Sequence, residues 1–198
     1  MTPAIASSAR TLAACAALAL AGCGSGAGPF NLTANPQSNR LMLEGHDAVA
    51  YFTQGKNVKG TADHAVVHEG VTYWFSSADN AAAFKRAPAK FAPQFGGYCT
   101  NGIAYGIPWG GDADTFRIID GKLYIFGGKD SRNYFSMDEK QNLERAHRLW
   151  NEEVAGSHAL VQRTRRLILR VPHYKSGAQL AEEWKANQTR SEAKSGGK

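Results

Sequence analysis

Apolar and β-branched residues flank an acidic residue followed by glycine at two places in the chain, and each place predicts a β-hairpin. Residues 65–75 flank Glu69-Gly70 in this way, and residues 115–126 flank Asp120-Gly121. An acidic residue followed by glycine suits a two-residue turn whose central residues both have positive φ. We therefore expect two antiparallel hairpins, with a further short strand over the apolar residues 48–52.

Helical spacing of apolar residues dominates elsewhere. Ser76 or Ser77 is a suitable N-cap for a helix that runs to about Arg86 and ends before Pro88. Apolar residues recur with helical period over 138–154, over 158–171 and around 178–186. We see no internal repeat. These patterns predict an α+β fold, in which a small domain of two hairpins and short helices precedes a C-terminal helical extension.

The first residues predict an export signal. Arg10 precedes an apolar run over 11–20 that is about half as long as a membrane span needs. The run ends in Leu20-Ala21-Gly22-Cys23, which is similar to a bacterial lipobox and implies lipid attachment at Cys23. The alternative is an ordinary signal peptide with a cysteine nearby by chance. With the lipobox, we expect an exported protein anchored by its lipid, in the outer membrane and facing the periplasm, since Gly24 replaces the usual inner-membrane retention residue.

These segments define the predicted organisation. Residues 1–22 are the signal peptide, and 23–44, rich in Gly, Asn and Ser at their start, form a flexible tether. Residues 45–137 form the domain, 138–188 the helical extension and 189–198 a disordered polar tail.

The basic charge of the chain is concentrated in the extension. The chain has 23 Lys and Arg against 17 Asp and Glu, and residues 139–198 alone hold 12 basic and 7 acidic side chains. Four of these bases, Arg163, Arg165, Arg166 and Arg170, share a predicted amphipathic helix, so we expect contact with anionic lipid or a protein partner there. The alternative is a solvated basic face over packed Leu and Ile residues. Nucleic-acid binding is not expected, because it needs basic and aromatic residues together in an accessible groove and the predicted address is exported.

Residues 45–99 resemble the YHS domain, a small family related to treble-clef metal-binding modules. Residues 47–52, Asp-Ala-Val-Ala-Tyr-Phe, match the family's opening Asp-Pro-Val-Cys-Gly-Met, and residues 70–77 match its Gly-x-x-Tyr-His-Phe-Cys-Ser. The resemblance implies a metal-binding fold, but the positions of the three family cysteines hold Ala50, Ser76 and Asn80. Ala has no donor atom, and Ser and Asn are poor ligands for the soft metals that thiolates bind. The whole mature chain is similar to YHS-domain lipoproteins of Gram-negative bacteria.

Three residues remain as candidates for chemistry. Cys99 is the only thiol of the mature chain once Cys15 leaves with the signal and Cys23 carries lipid. It follows two glycines that permit close approach of a ligand, and His46 and Asp47 offer further ligand atoms. We expect a non-catalytic module that binds a transition-metal ion or a small ligand at Cys99, His46 and Asp47. The alternatives are a scaffold that acts through the basic helices, and a thiol redox protein that uses Cys99. No known catalytic motif is recognised.

Overall fold

The computed structural model describes residues 30–35, 38–169 and 175–195. The predicted signal peptide, the lipidation site Cys23 and the fourth helix arginine, Arg170, lie outside these residues. Within them the fold is mixed α+β, as predicted, with two small sheets and a helical C-terminal region.

The first sheet has four strands in the order β1-β2-β4-β3. They are β1 (Leu32–Asn35), β2 (Ser38–Met42), β3 (Thr61–His68) and β4 (Val71–Phe75). The predicted tether over 23–44 is therefore wrong for its second half. Leu41 and Met42 are buried, and β2 pairs in parallel with β4 through Leu41 and Thr72, so burial and backbone pairing hold this segment on the domain.

Both predicted hairpins are confirmed. β3 and β4 form the first, and β5 (Asp112–Ile119) and β6 (Lys122–Phe126) form the second as a separate two-stranded sheet. The turn residues Glu69, Gly70, Asp120 and Gly121 all have positive φ, as the turn type requires.

Four short helices connect the strands. They are α1 (Ala50–Thr53), α2 (Ala78–Arg86), α3 (Pro88–Phe91) and α4 (Thr100–Ile103). The predicted strand over 48–52 is wrong, because the Asp47 carboxylate accepts the first N–H groups of α1 and so starts a helix there. The predicted cap of α2 is confirmed, since Ser77 Oγ accepts the Asn80 N–H.

The chain repeats one structural unit twice. Both hairpins pair in the same register, so that the pairs Val66–Tyr73 and Val67–Thr72 correspond to Arg117–Tyr124 and Ile118–Leu123. The bulge falls at the same place in each hairpin, and a helix follows each one: α2 in the first unit and α5 (Lys129–Phe135) in the second.

The segments before the hairpins repeat as well. Three successive residues with positive φ, residues 43–45 and 95–97, precede α1 and α4 respectively. The N–H of Asp47 donates to the carbonyl of Val58, and the N–H of Cys99 donates to that of Trp109. The two units therefore cover about residues 43–86 and 95–135, and Asp47 and Cys99 occupy equivalent positions.

Our prediction of no internal repeat is wrong, because the sequence identity between the units is sparse. Between residues 70–84 and 121–135 only five positions are identical. These five keep the turn glycine, three buried aromatic residues and one helix-start aspartate. The pairs are Gly70 and Gly121, Tyr73 and Tyr124, Phe75 and Phe126, Asp79 and Asp130, and Phe84 and Phe135.

Two hydrophobic cores form around these aromatic residues, and the first also includes Ala113, Leu123 and Ile125 of the second hairpin. Phe75 and Phe84 lie in the first core with ring centroids 5.1 Å apart, and Phe126 and Phe135 lie in the second with centroids 5.2 Å apart. All four side chains are fully buried. The conserved positions are thus those that the packing of each unit requires.

The C-terminal region is helical. α6 (Glu139–Leu149) continues into a π-helical segment (Trp150–Val154), followed by α7 (Ala159–Leu169) and α8 (Gly177–Ser195). The predicted disordered tail is wrong over 189–195, since this part of α8 contains good helix formers and neither Gly nor Pro. α8 packs on α5 of the second unit, where Leu180 is buried.

Candidate functional site

In the first unit, the carboxylate of Asp47 is the centre of a closed hydrogen-bond network. Oδ1 accepts the backbone N–H groups of Val49 and Ala50, at 2.9 and 3.2 Å. Oδ2 accepts the Ser76 N–H at 2.8 Å, the Ser76 hydroxyl at 2.6 Å and the Asn80 side-chain amide at 2.7 Å. Asp47 is fully buried, and five donors satisfy both of its oxygens.

Because of these hydrogen bonds, the residues around Asp47 are not available as metal ligands. The positions of the family cysteines do come together in space, because Ala50, Ser76 and Asn80 all surround Asp47. However, Ala50 offers no donor atom, and Ser76 and Asn80 already donate to the only charged group. No cluster of three or more His, Cys, Asp or Glu side chains suited to a metal is found in residues 30–35, 38–169 and 175–195. With Asp47 occupied in this way, the residues around it do not fit a metal ion.

His46 lies away from the cavity at Cys99. Its Nδ1 is 2.9 Å from the carbonyl oxygen of Leu43, and its Nε2 is 3.9 Å from a carboxylate oxygen of Asp114 on β5. Neither His46 nor Asp47 lines the cavity at Cys99. The structure thus separates the predicted trio into two places.

Cys99 takes the place of Asp47 in the second unit, with equivalent partners. Its Sγ caps α4 by accepting the N–H of Gly102 at 3.4 Å, as Asp47 Oδ1 accepts that of Ala50. Sγ also lies 3.1 Å from the hydroxyl oxygen of Ser131, which is the counterpart of Asn80. Cys99 is buried, and it forms no disulfide with another described residue.

Smaller residues surround Cys99 than surround Asp47. Gly102 replaces Ala50, Gly127 replaces Ser76 and Ser131 replaces Asn80. A Cβ added to Gly127 would lie 3.2 Å from the carbonyl oxygen of Gly110 and 3.4 Å from Cys99 Sγ, so a side chain at this position would occupy the volume directly beside the thiol. The second unit therefore has an open volume where the first unit has a filled network.

That volume is a cavity of about 260 Å³. It lies between the segment 99–102, the loop around Trp109, the start of α5 and the first turn of α8. Lys129 and Asp130 are exposed at its rim, which connects it to solvent.

Asn101 gives the cavity a specific polar feature. Its side chain is only 4% exposed, it lines the cavity, and its Oδ1 has no hydrogen-bond partner among the described residues. A buried acceptor without a partner costs about 1–3 kcal/mol, so a bound N–H or O–H group would be favourable there. The cavity thus offers a hydrogen-bond acceptor, a thiol, a hydroxyl and small-residue walls to one ligand.

The helix α7 turns its basic side toward the protein, whereas we expected that side to contact a membrane or a partner. Arg166 is buried and pairs with Glu153, and Arg163 donates to the carbonyl of Pro108 at 2.7 Å and lies over the ring of Trp109. Of the three predicted contact arginines that are described, only Arg165 is exposed. The basic face packs on the second unit, and the apolar face is turned outward.

One histidine that packs on the second unit has a shifted pKa. His147 Nε2 lies 3.0 Å from the hydroxyl of Tyr124, and its ring packs on Phe95. Burial, followed by the charge of Lys122, lowers the pKa of His147 below its usual value. His147 therefore packs against the second core through Phe95 and Tyr124.

The comparisons with known proteins support the domain and nothing finer. Residues 49–95 match the model of the YHS domain. Neither a curated protein nor a solved structure matches the chain. The matched segment contains the first hairpin with α2 and ends before Cys99, so the cavity lies outside it. Among the described helices, none is both long and apolar enough to span a bilayer.

Sequence reasoning missed Asn101, Gly127 and Ser131. One signal could have found two of them: the pattern Gly-x-x-Tyr-x-Phe occurs at Gly70 and again at Gly121. Aligning the chain with itself at this pattern places Gly127 and Ser131 at the positions of two family cysteines.

Proposed function

We propose that this YHS-domain protein is an exported, lipid-anchored binding module that holds a small polar molecule in the cavity beside Cys99. In this proposal, lipid on Cys23 holds the protein on the periplasmic face of the outer membrane. The first unit is structural, and the second unit carries the ligand.

The cavity with the unpartnered Asn101 Oδ1 carries the proposal. Its volume of about 260 Å³ is below the range of about 300–1,000 Å³ for pockets that hold drug-sized molecules. The ligand is therefore small, and it donates an N–H or O–H group to Asn101. The thiol of Cys99 and the hydroxyl of Ser131 lie together and contact its other end.

The proposed ligand is not a metal ion. The site that the family resemblance points to is closed by the Asp47 network. The Cys99 cavity offers one thiol without a histidine or carboxylate partner within hydrogen-bond distance of Sγ among the described residues. Soft metals in protein sites take several S or N ligands, so one thiol is insufficient.

Native mass spectrometry of the full chain, released from its own membranes in mild detergent, tests the proposal. We expect the wild type to carry a non-covalent small molecule. The triple variant Cys99→Asp, Gly127→Ser, Ser131→Asn rebuilds the first unit's network and should lose that molecule. Gly127→Val, which fills the cavity with a single change, is the second variant.

The same spectra test the anchor. The mass of the mature chain should include lipid on Cys23, and an unmodified Cys23 would contradict the anchor. A wild type without a bound small molecule, or one that keeps it in folded Gly127→Val, would contradict the binding function. Circular dichroism establishes that each variant is folded.

A further inference from the structure

The outward face of α7 carries a continuous set of apolar side chains. Leu160, Val161, Ile168 and Leu169 are between 58 and 72% exposed, and Leu167 is 42% exposed. All of these except Leu167 border a shallow open groove along the helix, together with Thr164 and Arg165. Five large apolar side chains on one exposed helix face are far more than scattered surface residues, and such patches mark interaction sites.

The orientation of this face is fixed by the opposite side of the helix. Gln162 donates to the carbonyl of Gly106 at 3.0 Å, and the buried Arg166 pairs with Glu153. A Cβ at Gly106 would lie 2.7 Å from the Arg166 guanidinium, so glycine makes room for this contact. The helix cannot rotate its apolar side inward without breaking these buried polar contacts.

The start of the described chain and α7 contact the same short segment of the second unit. Asn31 donates through its side chain to the carbonyl of Gly111 at 3.2 Å, while Arg163 of α7 donates to the carbonyl of Pro108. Pro108 and Gly111 are three residues apart, so their Cα atoms are at most about 11 Å from each other. Both the N-terminal segment and α7 are thus attached to one short segment of the second unit.

The number of residues between Cys23 and Phe30 limits how far the domain can lie from the membrane. Six residues separate Cys23 from Phe30, and seven Cα–Cα steps span at most about 25 Å. A lipid on Cys23 would therefore keep this side of the domain within about 25 Å of the bilayer surface.

We infer that α7 lies in the interface of the anchoring membrane, with its apolar side chains among the acyl-chain ends and Arg165 near anionic headgroups. An amphipathic helix that lies flat buries its apolar face about 5–10 Å into this boundary. The excess of bases in residues 139–198, 12 against 7 acids, favours an anionic surface. This inference rests on the proposed anchor at Cys23 and not on the ligand cavity.

Site-specific fluorescence on the lipidated full chain tests it. In a Cys99→Ser background, Ile168→Cys is labelled with an environment-sensitive dye, and the chain is reconstituted into phosphatidylethanolamine–phosphatidylglycerol vesicles that contain nitroxide-labelled lipid. Val67→Cys is the matched control, since Val67 is an equally exposed apolar residue, at 69%, on β3. We expect lipid quenching at residue 168 to exceed that at residue 67 by about threefold or more, because only residue 168 reaches the acyl boundary.

Other outcomes overturn the inference in distinguishable ways. Equal quenching at both positions in a chain whose mass shows lipid on Cys23 overturns the docking and leaves the anchor intact. A blue shift at residue 168 that needs no vesicle and grows with protein concentration assigns the face to a second copy of the chain. An unmodified Cys23 overturns the anchor and this docking together. Weaker quenching in pure phosphatidylcholine vesicles is expected, and equal quenching there contradicts the role given to anionic lipid.

Discussion

The first unit places a buried carboxylate at residue 47, and the second unit places a thiol at the equivalent residue 99. The backbone around these residues is the same, with a hairpin of the same register and a helix after it. The neighbours differ: Ser76 and Asn80 reach the carboxylate, while Gly127 and Ser131 leave a cavity beside the thiol.

The equivalent position contributes differently to the two units. Five hydrogen bonds at Asp47 tie α1, β4 and α2 together, so this position contributes to stability. The equivalent position of the second unit has two weak sulfur contacts and an unpartnered acceptor nearby. The second unit has fewer stabilising contacts at this position, and the space beside the thiol is available to a ligand.

The largest expected effect is that of removing the acceptor in the first unit. Asp47→Ala should lower the free energy of unfolding by about 3–5 kcal/mol, since several buried donors lose their partner and each costs about 1–3 kcal/mol. Cys99→Ala, the matched change in the second unit, should cost less than about 1.5 kcal/mol because its Sγ borders a cavity. Urea unfolding followed by circular dichroism measures both. Equal losses would contradict the contrast between the units.

A smaller effect is expected in the loop that follows α1 and α4. Gly55 and Gly106 are equivalent, with φ of 66° and 68°, so alanine at either should cost about 1 kcal/mol of backbone strain. Nothing lies within 4 Å of a Cβ at Gly55, whereas the Arg166 guanidinium lies 2.7 Å from one at Gly106. Gly106→Ala should therefore cost about 1–2 kcal/mol more. Equal unfolding free energies for the two variants would show that α7 is not seated on this loop.

The sequence predicts features that local residues determine, and it misses features that depend on contacts distant in the chain. Apolar and β-branched residues on either side of an acidic-residue–glycine turn identify both hairpins, and the Ser77 cap with Pro88 bounds α2, since these signals are local. Leu41 of β2 pairs with Thr72 of β4, which is 31 residues away. Local sequence does not show this partner, so the Gly- and Asn-rich composition led us to predict a tether.

The candidate site was predictable only in part for a related reason. A lone thiol stands out in the composition, and Cys99 does line the cavity. Its partners are glycines and one serine, and the cavity exists because side chains are absent there. The orientation of α7 also escaped prediction, because an ion pair with Glu153 buries Arg166 and exposes Ile168.

The smallest expected effect is a pH dependence that comes from His147, which packs on the second unit. Burial lowers the pKa of His147 in the folded chain, so the unfolded chain binds more protons as the pH falls through about 6.5. Stability should therefore decrease on acidification from neutral pH. Tyr73, the counterpart of Tyr124 in the first unit, has no histidine partner among the described residues. Urea unfolding at pH 7.5 and 5.5 should show a smaller decrease for His147→Gln, and an unchanged decrease would contradict the assignment.

The most direct test of an open second site is the alkylation rate of Cys99 by iodoacetamide in the folded full chain. We expect the wild type to react without unfolding, because the cavity connects Sγ to solvent at Lys129 and Asp130. Gly127→Val should slow the reaction about tenfold or more, since access then requires a local opening. Gly156→Val, where nothing lies within 4 Å of the added Cβ, is the control and should react like the wild type. A wild-type thiol that reacts only in unfolding concentrations of urea would show that the second site is as closed as the first.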